Sequence, residues 1–305
     1  MKMFGNCFQK LFVRDRVDVC SISEIGKLHT NNGTPIQDSS FSWKKGRGFF
    51  IAVSDGHGSP VHFKSQIGSK LACEASFSIY KGICKKYNNG KLKKLKNSKL
   101  EMDQFLIETE NQIISLWNKM VEDDVKNNDF RNDEKYCSLS NKDKSKLIEN
   151  SKIAYGCTLL VAYRFCSLTI ILKIGDGNIV VADKQNKFYE PPELEDKSNF
   201  LNITSSLCTF DCLKHFRHVV FNDDNFEPNA IFLFSDGVVN SFSSPKMLAQ
   251  FAINISKMAV ENDAKSTATE LKQGLRQCSM NGSGDDASCA FAIDKSKLKN
   301  ICEKL

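Results

Sequence analysis

The chain has 305 residues, 41% hydrophobic and 26% charged, enough to bury a core in one large domain or two small ones. Its net charge of +6 rests on 35 Lys and seven Arg, but no basic stripe interleaved with aromatics and no base-reading helix accompanies it, which sets nucleic-acid binding aside. Apolar runs such as FFIAVS (49–54), LTIILKIG (168–175) and AIFLFS (230–235) have the length of buried strands and fall well short of a membrane span, so no membrane anchor is expected.

The N-terminal MKMFGNCFQKLFVRDR is basic and apolar, but no sustained apolar core with a small-residue cleavage site follows. Residues 1–19 therefore read as an extension, and a cytoplasmic location is expected. Residues 20–56 read as strand, polar turn and strand, because VCSISEIG and FFIAVS flank a segment rich in Asn, Gly, Pro and Asp. From Val61 to about Tyr87, Phe63, Ile67, Leu71, Ala75 and Ile79 recur at mostly four-residue spacing, the stripe of a helix buried on one face. A second such stripe runs from Met102 through Phe105, Thr109, Ile113, Trp117 and Met120.

The stretch Lys85–Lys99 holds seven lysines among Asn and Gly, as in a solvated helix end and loop; an acidic or phosphorylated partner at 85–99 is the alternative. Glu122–Lys152 is charged, with Leu139, Leu147 and Ile148 as sparse anchors, so 85–152 reads as a helical connection within one domain. Strand-like segments follow at 153–163, 168–175 and 178–182. Residues 183–229 then read as loops and short elements, with an apolar patch near Leu213–Phe221. A strand at 230–235, helices near 245–260 and 266–277, and a strand at about Ala287–Ile293 complete the pattern, with 295–305 as a tail. This order predicts mixed α/β or α+β layers without internal repeats. Twelve cysteines, scattered without a C-x-x-C pair, read as free buried thiols.

The informative positions are those where apolar strands break into Asp and Gly. FFIAVS runs into Asp55-Gly56-His57-Gly58, LTIILKI into Gly175-Asp176-Gly177, and AIFLFS into Asp236-Gly237, while Gly284-Asp285-Asp286 precedes ASCAFAI. Carboxylates at strand ends near a core stay ionised if they share hard divalent cations. Asp-Gly pairs also form turns in which Asp caps the backbone and Gly supplies unusual dihedrals. Composition and spacing leave both readings open.

Six segments in order, GKLHTNNGTPIQDS (26–39), VSDGHGS (53–59), YGCTLLVA (155–162), KIGDGNIVVAD (173–183), LFSDGVVNSF (233–242) and SGDDASCAFA (283–292), resemble the type 2C metal-dependent protein phosphatases, especially their divergent bacterial-type branch. The resemblance covers residues 20–294. It implies an α+β fold, a four-layer α-β-β-α sandwich with two central antiparallel sheets, and hydrolysis of phosphoserine or phosphothreonine on a protein substrate by direct attack of metal-activated water. It further implies two ions, Mg2+ or Mn2+, with Asp55 and Asp236 as ligands of the binuclear centre, Asp285 completing one site and the Gly56 carbonyl contributing to the other.

By the same resemblance Asp38 binds or orients metal-bound water. Gln37 stands where the family often has an acid and cannot add charge. Asp176 matches a third metal site, but the position of its partner is the neutral Asn240, which leaves that site open. The phosphate-holding arginine of the family has no match; His29 stands in that segment as a donor to phosphate or as a local hydrogen-bond partner. His57 reads as a proton donor to the leaving oxygen or as a group orienting a carboxylate or water. His62, His215 and His218 are left out of the chemistry, Cys157 is read as packing, and a monomer is expected.

Overall fold

The computed structural model describes residues 17–87, 94–195, 204–222 and 226–298. Ten strands form two five-stranded antiparallel sheets. In chain order they are β1 (Val17–Glu24), β2 (Ser39–Lys45), β3 (Gly48–Ser54), β4 (Leu159–Phe165), β5 (Leu168–Ile174), β6 (Asn178–Ala182), β7 (Phe188–Tyr189), β8 (Arg217–Asn222), β9 (Ala230–Phe234) and β10 (Ala287–Asp294). One sheet has the order β1-β10-β9-β6-β7 and the other β2-β3-β4-β5-β8.

The strands alternate between two hydrophobic layers, which explains why FFIAVS reads as an unbroken apolar run. Phe49, Ile51 and Val53 meet Ile231, Leu233, Ala290 and Ala292 between the sheets, while Phe50 and Ala52 face the helices on the outer side. Those helices are α2 (Ser65–Lys86) and α3 (Lys99–Asn127), and the short α1 (Lys27–Asn32) precedes them near the site. Two short helices, α4 (Glu134–Cys137) and α5 (Asn141–Glu149), complete the connection to β4. After β9 come α6 (Asp236–Val239), α7 (Pro245–Glu261) and α8 (Ala264–Cys278). The last two cover the outer face of the other sheet through Leu248, Ile255, Leu271 and Leu275. The result is the four-layer α-β-β-α sandwich that the resemblance implies.

Local chemistry sets the helix ends. Ser98 caps α3 by accepting from the Glu101 amide, and Asp263 caps α8 by accepting from Lys265 and Ser266. Gly68 lets α2 press against the chain before β4: a Cβ there would lie 1.9 Å from the Tyr155 carbonyl oxygen, and the Gly68 carbonyl accepts the Trp117 indole at 3.0 Å.

Three segments differ from the sequence reading. β2 falls in the stretch read as a polar turn, because its inward residues are serines. Ser40 and Ser42 pair with Ser23 and Ser21 of β1 at 2.9 and 3.1 Å across the sandwich, while Phe41 packs against Phe77. The strand expected from residue 153 starts at Leu159, because Ser151–Tyr155 forms a 3-10 turn capped by Asn150. The second helix extends well beyond 102–120 at its C-terminal end, to Asn127.

Residues 17–19 of the expected N-terminal extension are the first of β1, and 1–16 lie outside the described residues. Within the expected tail, Lys295–Leu298 forms a helical turn and 299–305 lie outside. Residues 88–93 of the lysine-rich stretch also lie outside; of its described part, Lys86 and Lys94 pair with Glu108 and Glu101 at 3.4 and 3.2 Å. The ten described cysteines are free, and Cys84, Cys137 and Cys166 are exposed rather than buried. No helix among the described residues is long and apolar enough to cross a membrane.

Candidate metal centre

Antiparallel pairing brings the acidic junctions to one end of the sandwich. β3 and β9 stop just before Asp55 and Asp236, β5 just before Asp176, and β2 and β10 begin directly after Asp38 and Asp286. Ser39 lies opposite Ser54, and Phe234 lies opposite both Cys289 and Asn178, so the junctions come level.

Asp38 is 5% exposed and its Oδ2 has no hydrogen-bond partner. Burial and then the Asp286 charge raise its carboxyl to about 8, against the donated hydrogen bonds of Ser288 and Ser235. Burial, followed by the charges of Asp38 and Asp236, also raises Asp55 well above the usual carboxylate range. Asp236 is raised chiefly by burial, with Asp176 and Asp285 adding to it, and its buried Oδ1 is unpartnered. The charges bearing on these three groups are thus other carboxylates.

Around this trio the neighbours take distinct places. Asp285 is the open member, with its side chain 53% exposed. Asp176 is half-buried and its Oδ2 accepts from the Thr204 hydroxyl at 2.6 Å. The Asn240 amide donates to Asp236 Oδ2 at 3.3 Å, so the neutral residue supports an acid. Asp286 is 2% exposed, and its two oxygens accept the backbone N–H groups of Gly26 and Gln37, each at 2.6 Å. That ties α1 and the Asp38 segment to the start of β10.

His29 Nδ1 lies 2.9 Å from Asp286 Oδ1 and its Nε2 3.8 Å from Asp285 Oδ1. His29, Asp285 and Asp286 offer ligand atoms within 4.8 Å of one another and form one candidate cation-binding group. Since both Asp286 oxygens already hold backbone amides, its part there is mainly to brace the site.

Gly56 is fixed by packing. A Cβ would stand 2.7 Å from the Gln37 carbonyl oxygen and 2.9 Å from Ser65, so only glycine fits the turn. The Gln37 side chain turns away from the acids and donates to Ser65 Oγ at 2.7 Å and to the His57 carbonyl at 3.4 Å. The His57 ring lies 5.0 Å from that of His62, tilted by 57°, and burial lowers its pKa to about 4, so its ring is neutral at neutral pH. The Cys157 thiol is fully buried, and burial pushes its pKa far up, which removes it as a nucleophile.

The structure therefore gathers Asp38, Asp55, Asp176, Asp236 and Asp285 with Gly56 at one edge, sets His29 against Asp285 and Asp286, and sets His57 beside His62. The sequence reading did not single out the hydroxyls of Ser235, Ser288 and Thr204 or the amide of Gly26. For Ser235, its place immediately before Asp236 was the available signal; Thr204 and Gly26 carry none, because they approach from distant parts of the chain.

The profile of protein phosphatase 2C matches residues 25–276. No curated protein sequence matches the chain. Among solved structures, the S. agalactiae serine/threonine phosphatase is similar at 15% identity and TM-score 0.55, over 91% of this chain and 99% of that one. A Staphylococcus aureus serine/threonine phosphatase is similar at 15% identity and TM-score 0.51, over 91% and 94%. A C. elegans sex-determining protein shares the fold at 14% identity and TM-score 0.56, over 93% of this chain and 67% of that one. With the sequence match spanning most of the chain and the sandwich in place, this chain belongs to the protein phosphatase 2C family.

Proposed function

We propose that the chain is a metal-dependent protein phosphatase acting on phosphoserine and phosphothreonine, with Mg2+ or Mn2+ held by Asp55, the Gly56 carbonyl, Asp236 and Asp285. The observation that carries this reading is the pair of buried, unpartnered carboxylate oxygens, Asp38 Oδ2 and Asp236 Oδ1, in a cluster whose strongest neighbours are further carboxylates. Turn capping would have placed those oxygens on backbone amides, as it does for Asp263. An all-oxygen, acid-rich donor set suits a hard divalent cation. Ions held by these residues would offset the acids' mutual repulsion and would supply Lewis-acid activation of water and phosphoryl oxygens.

The chain's own residues hold this arrangement. Ser235 and Ser288 temper the repulsion on Asp38, whose free oxygen would orient water; Asn240 supports Asp236; Gln37 holds the turn that carries Gly56 and His57. His57, neutral at working pH, has one N–H and one lone pair with which to orient water or the leaving oxygen. His29 lies between Asp286, 2.9 Å from its Nδ1, and Asp285, the acid most open to solvent, 3.8 Å from its Nε2.

The test is phosphate release from phosphoserine, phosphothreonine and phosphotyrosine peptides by the full chain in Mn2+, Mg2+ or chelator. Cation-dependent release from the first two, lost in Asp236→Asn, is the expected outcome. Inactivity in every cation, or an Asp236→Asn variant that matches the parent, would end this reading.

A further inference from the structure

A pocket of about 380 Å³ opens beside the acidic cluster, lined by Lys173, Asp176, Asn178, Ile179, Glu190, Pro191, Pro192, Leu194 and Glu195. Its make-up is unlike that of the chain around it. The chain as a whole is basic, with 42 Lys and Arg against 36 acids, yet three carboxylates line this pocket with a single lysine. That lysine, Lys173, already has a partner of its own. The pocket also has an apolar side: Pro192 is exposed there, and the edges of Ile179, Pro191 and Leu194, otherwise covered by the core, complete the lining.

Two of the acids are held in place. Glu190 Oε2 accepts from the Asn178 amide at 2.7 Å, and Asp176 accepts from Thr204 at 2.6 Å. The position matters as much as the make-up. Asp176 lines the pocket and is also the carboxylate whose charge bears on Asp236 in the proposed metal centre. An occupant therefore lies next to the place where a phosphoryl group would sit, within the reach of a few residues of extended chain at about 3.3–3.6 Å each.

Resting on the phosphatase reading above, we propose that this pocket takes an arginine or lysine side chain of the phosphoprotein close in sequence to the phosphorylated residue, and so sets a preference for basic phosphosites. The aliphatic stem lies on Pro192, and the cationic head meets Glu190, Glu195 and Asp176. A long basic side chain suits a pocket that sets apolar surface beside acids. An acidic flanking residue would meet three like charges and is disfavoured.

The experiment compares kcat/KM of the Mn2+-loaded full chain on phosphothreonine peptides that differ only in carrying Arg, Gln or Glu beside the phosphothreonine, scanned over the nearest positions on both sides. The Arg peptide should lead the Gln peptide by about five-fold at one position, the scale of a partly exposed ion pair, and the gain should lie in KM. In Glu190→Gln/Glu195→Gln the Arg-to-Gln ratio should fall towards one. Equal kcat/KM for all peptides, or a ratio unchanged in the double variant, overturns the pocket while leaving the phosphatase reading standing.

If no peptide and no para-nitrophenyl phosphate is hydrolysed, the phosphatase reading falls. Fluorescence anisotropy with labelled Arg and Gln peptides then decides the pocket: tighter binding of the Arg peptide, lost in the double variant, supports it, and equal binding overturns it.

Discussion

The two ends of the sandwich bury charge in opposite ways. At the end remote from the acidic cluster, Arg164 is 1% exposed and its guanidinium is met by Glu227, which also takes Lys297 at 2.9 Å and Arg47 at 3.9 Å. At the other end Asp38 is nearly as deep and Asp55 is partly buried, yet the charges that bear on them belong to further acids, and oxygens of Asp38 and Asp236 stay unpartnered. Burying an ion is costly, and at one end the chain offsets that cost with a counter-charge of its own, Glu227 against Arg164. At the other end the proposed metal ions would supply the offset.

That contrast can be broken most directly at Glu227. Glu227→Gln leaves Arg164 without its carboxylate and should destabilise the chain by about 3 kcal/mol in urea unfolding, to the same extent with or without Mn2+. A loss that depends on Mn2+ would mean that the two ends are not separate.

At the acidic end the signs should reverse. If Asp55 is the ligand proposed above, Asp55→Asn should cut Mn2+-dependent hydrolysis by at least about a hundred-fold. In chelator the same variant should melt above the parent at pH 8, because it removes a buried charge that its neighbours repel. A lower melting temperature in chelator would show that Asp55 is satisfied within the chain.

A pH series sharpens the same point. Asp38, Asp55 and Asp236 have folded pKa values above the unfolded value near 3.8, so the folded state binds more protons than the unfolded state above that pH. Their contribution is fully present below about pH 4 and is lost as pH rises through the folded values, about 8 for Asp38. Cation-free protein should therefore lose melting temperature between pH 5 and 8, by roughly 2–4 °C for each kcal/mol lost, and Mn2+ should restore it at pH 8. A melting temperature that rises across this window without cation would contradict the charge state assigned to the cluster.

The smallest effect is expected at Asn240. Its 3.3 Å bond to Asp236 orients a ligand without adding charge, so Asn240→Ala should weaken Mn2+ binding about ten-fold in a calorimetric titration. An unchanged affinity would show that Asp236 is held by its backbone alone.

Much of this was legible beforehand. The apolar runs of β3, β5 and β9 marked buried strands, and the four-residue stripes of α2 and α3 marked covering helices. β2 escaped notice because its serines answer serines of β1, a pairing invisible in one strand. Gln37 and Asn240 were legible as departures from the family pattern, but not their new partners, Ser65 and Asp236.

By itself the sequence determined the most apolar strands, which of them end in acids, and which family the motifs resemble, because alternation and residue chemistry are local. Only the tertiary structure decided that Asp38 and Asp236 keep unpartnered oxygens while Asp286 spends both of its own on the amides of Gly26 and Gln37. Asp285 and Asp286 are adjacent and chemically identical in sequence. They part company because antiparallel strands bring residues some 250 positions away against one of them and leave the other open to solvent.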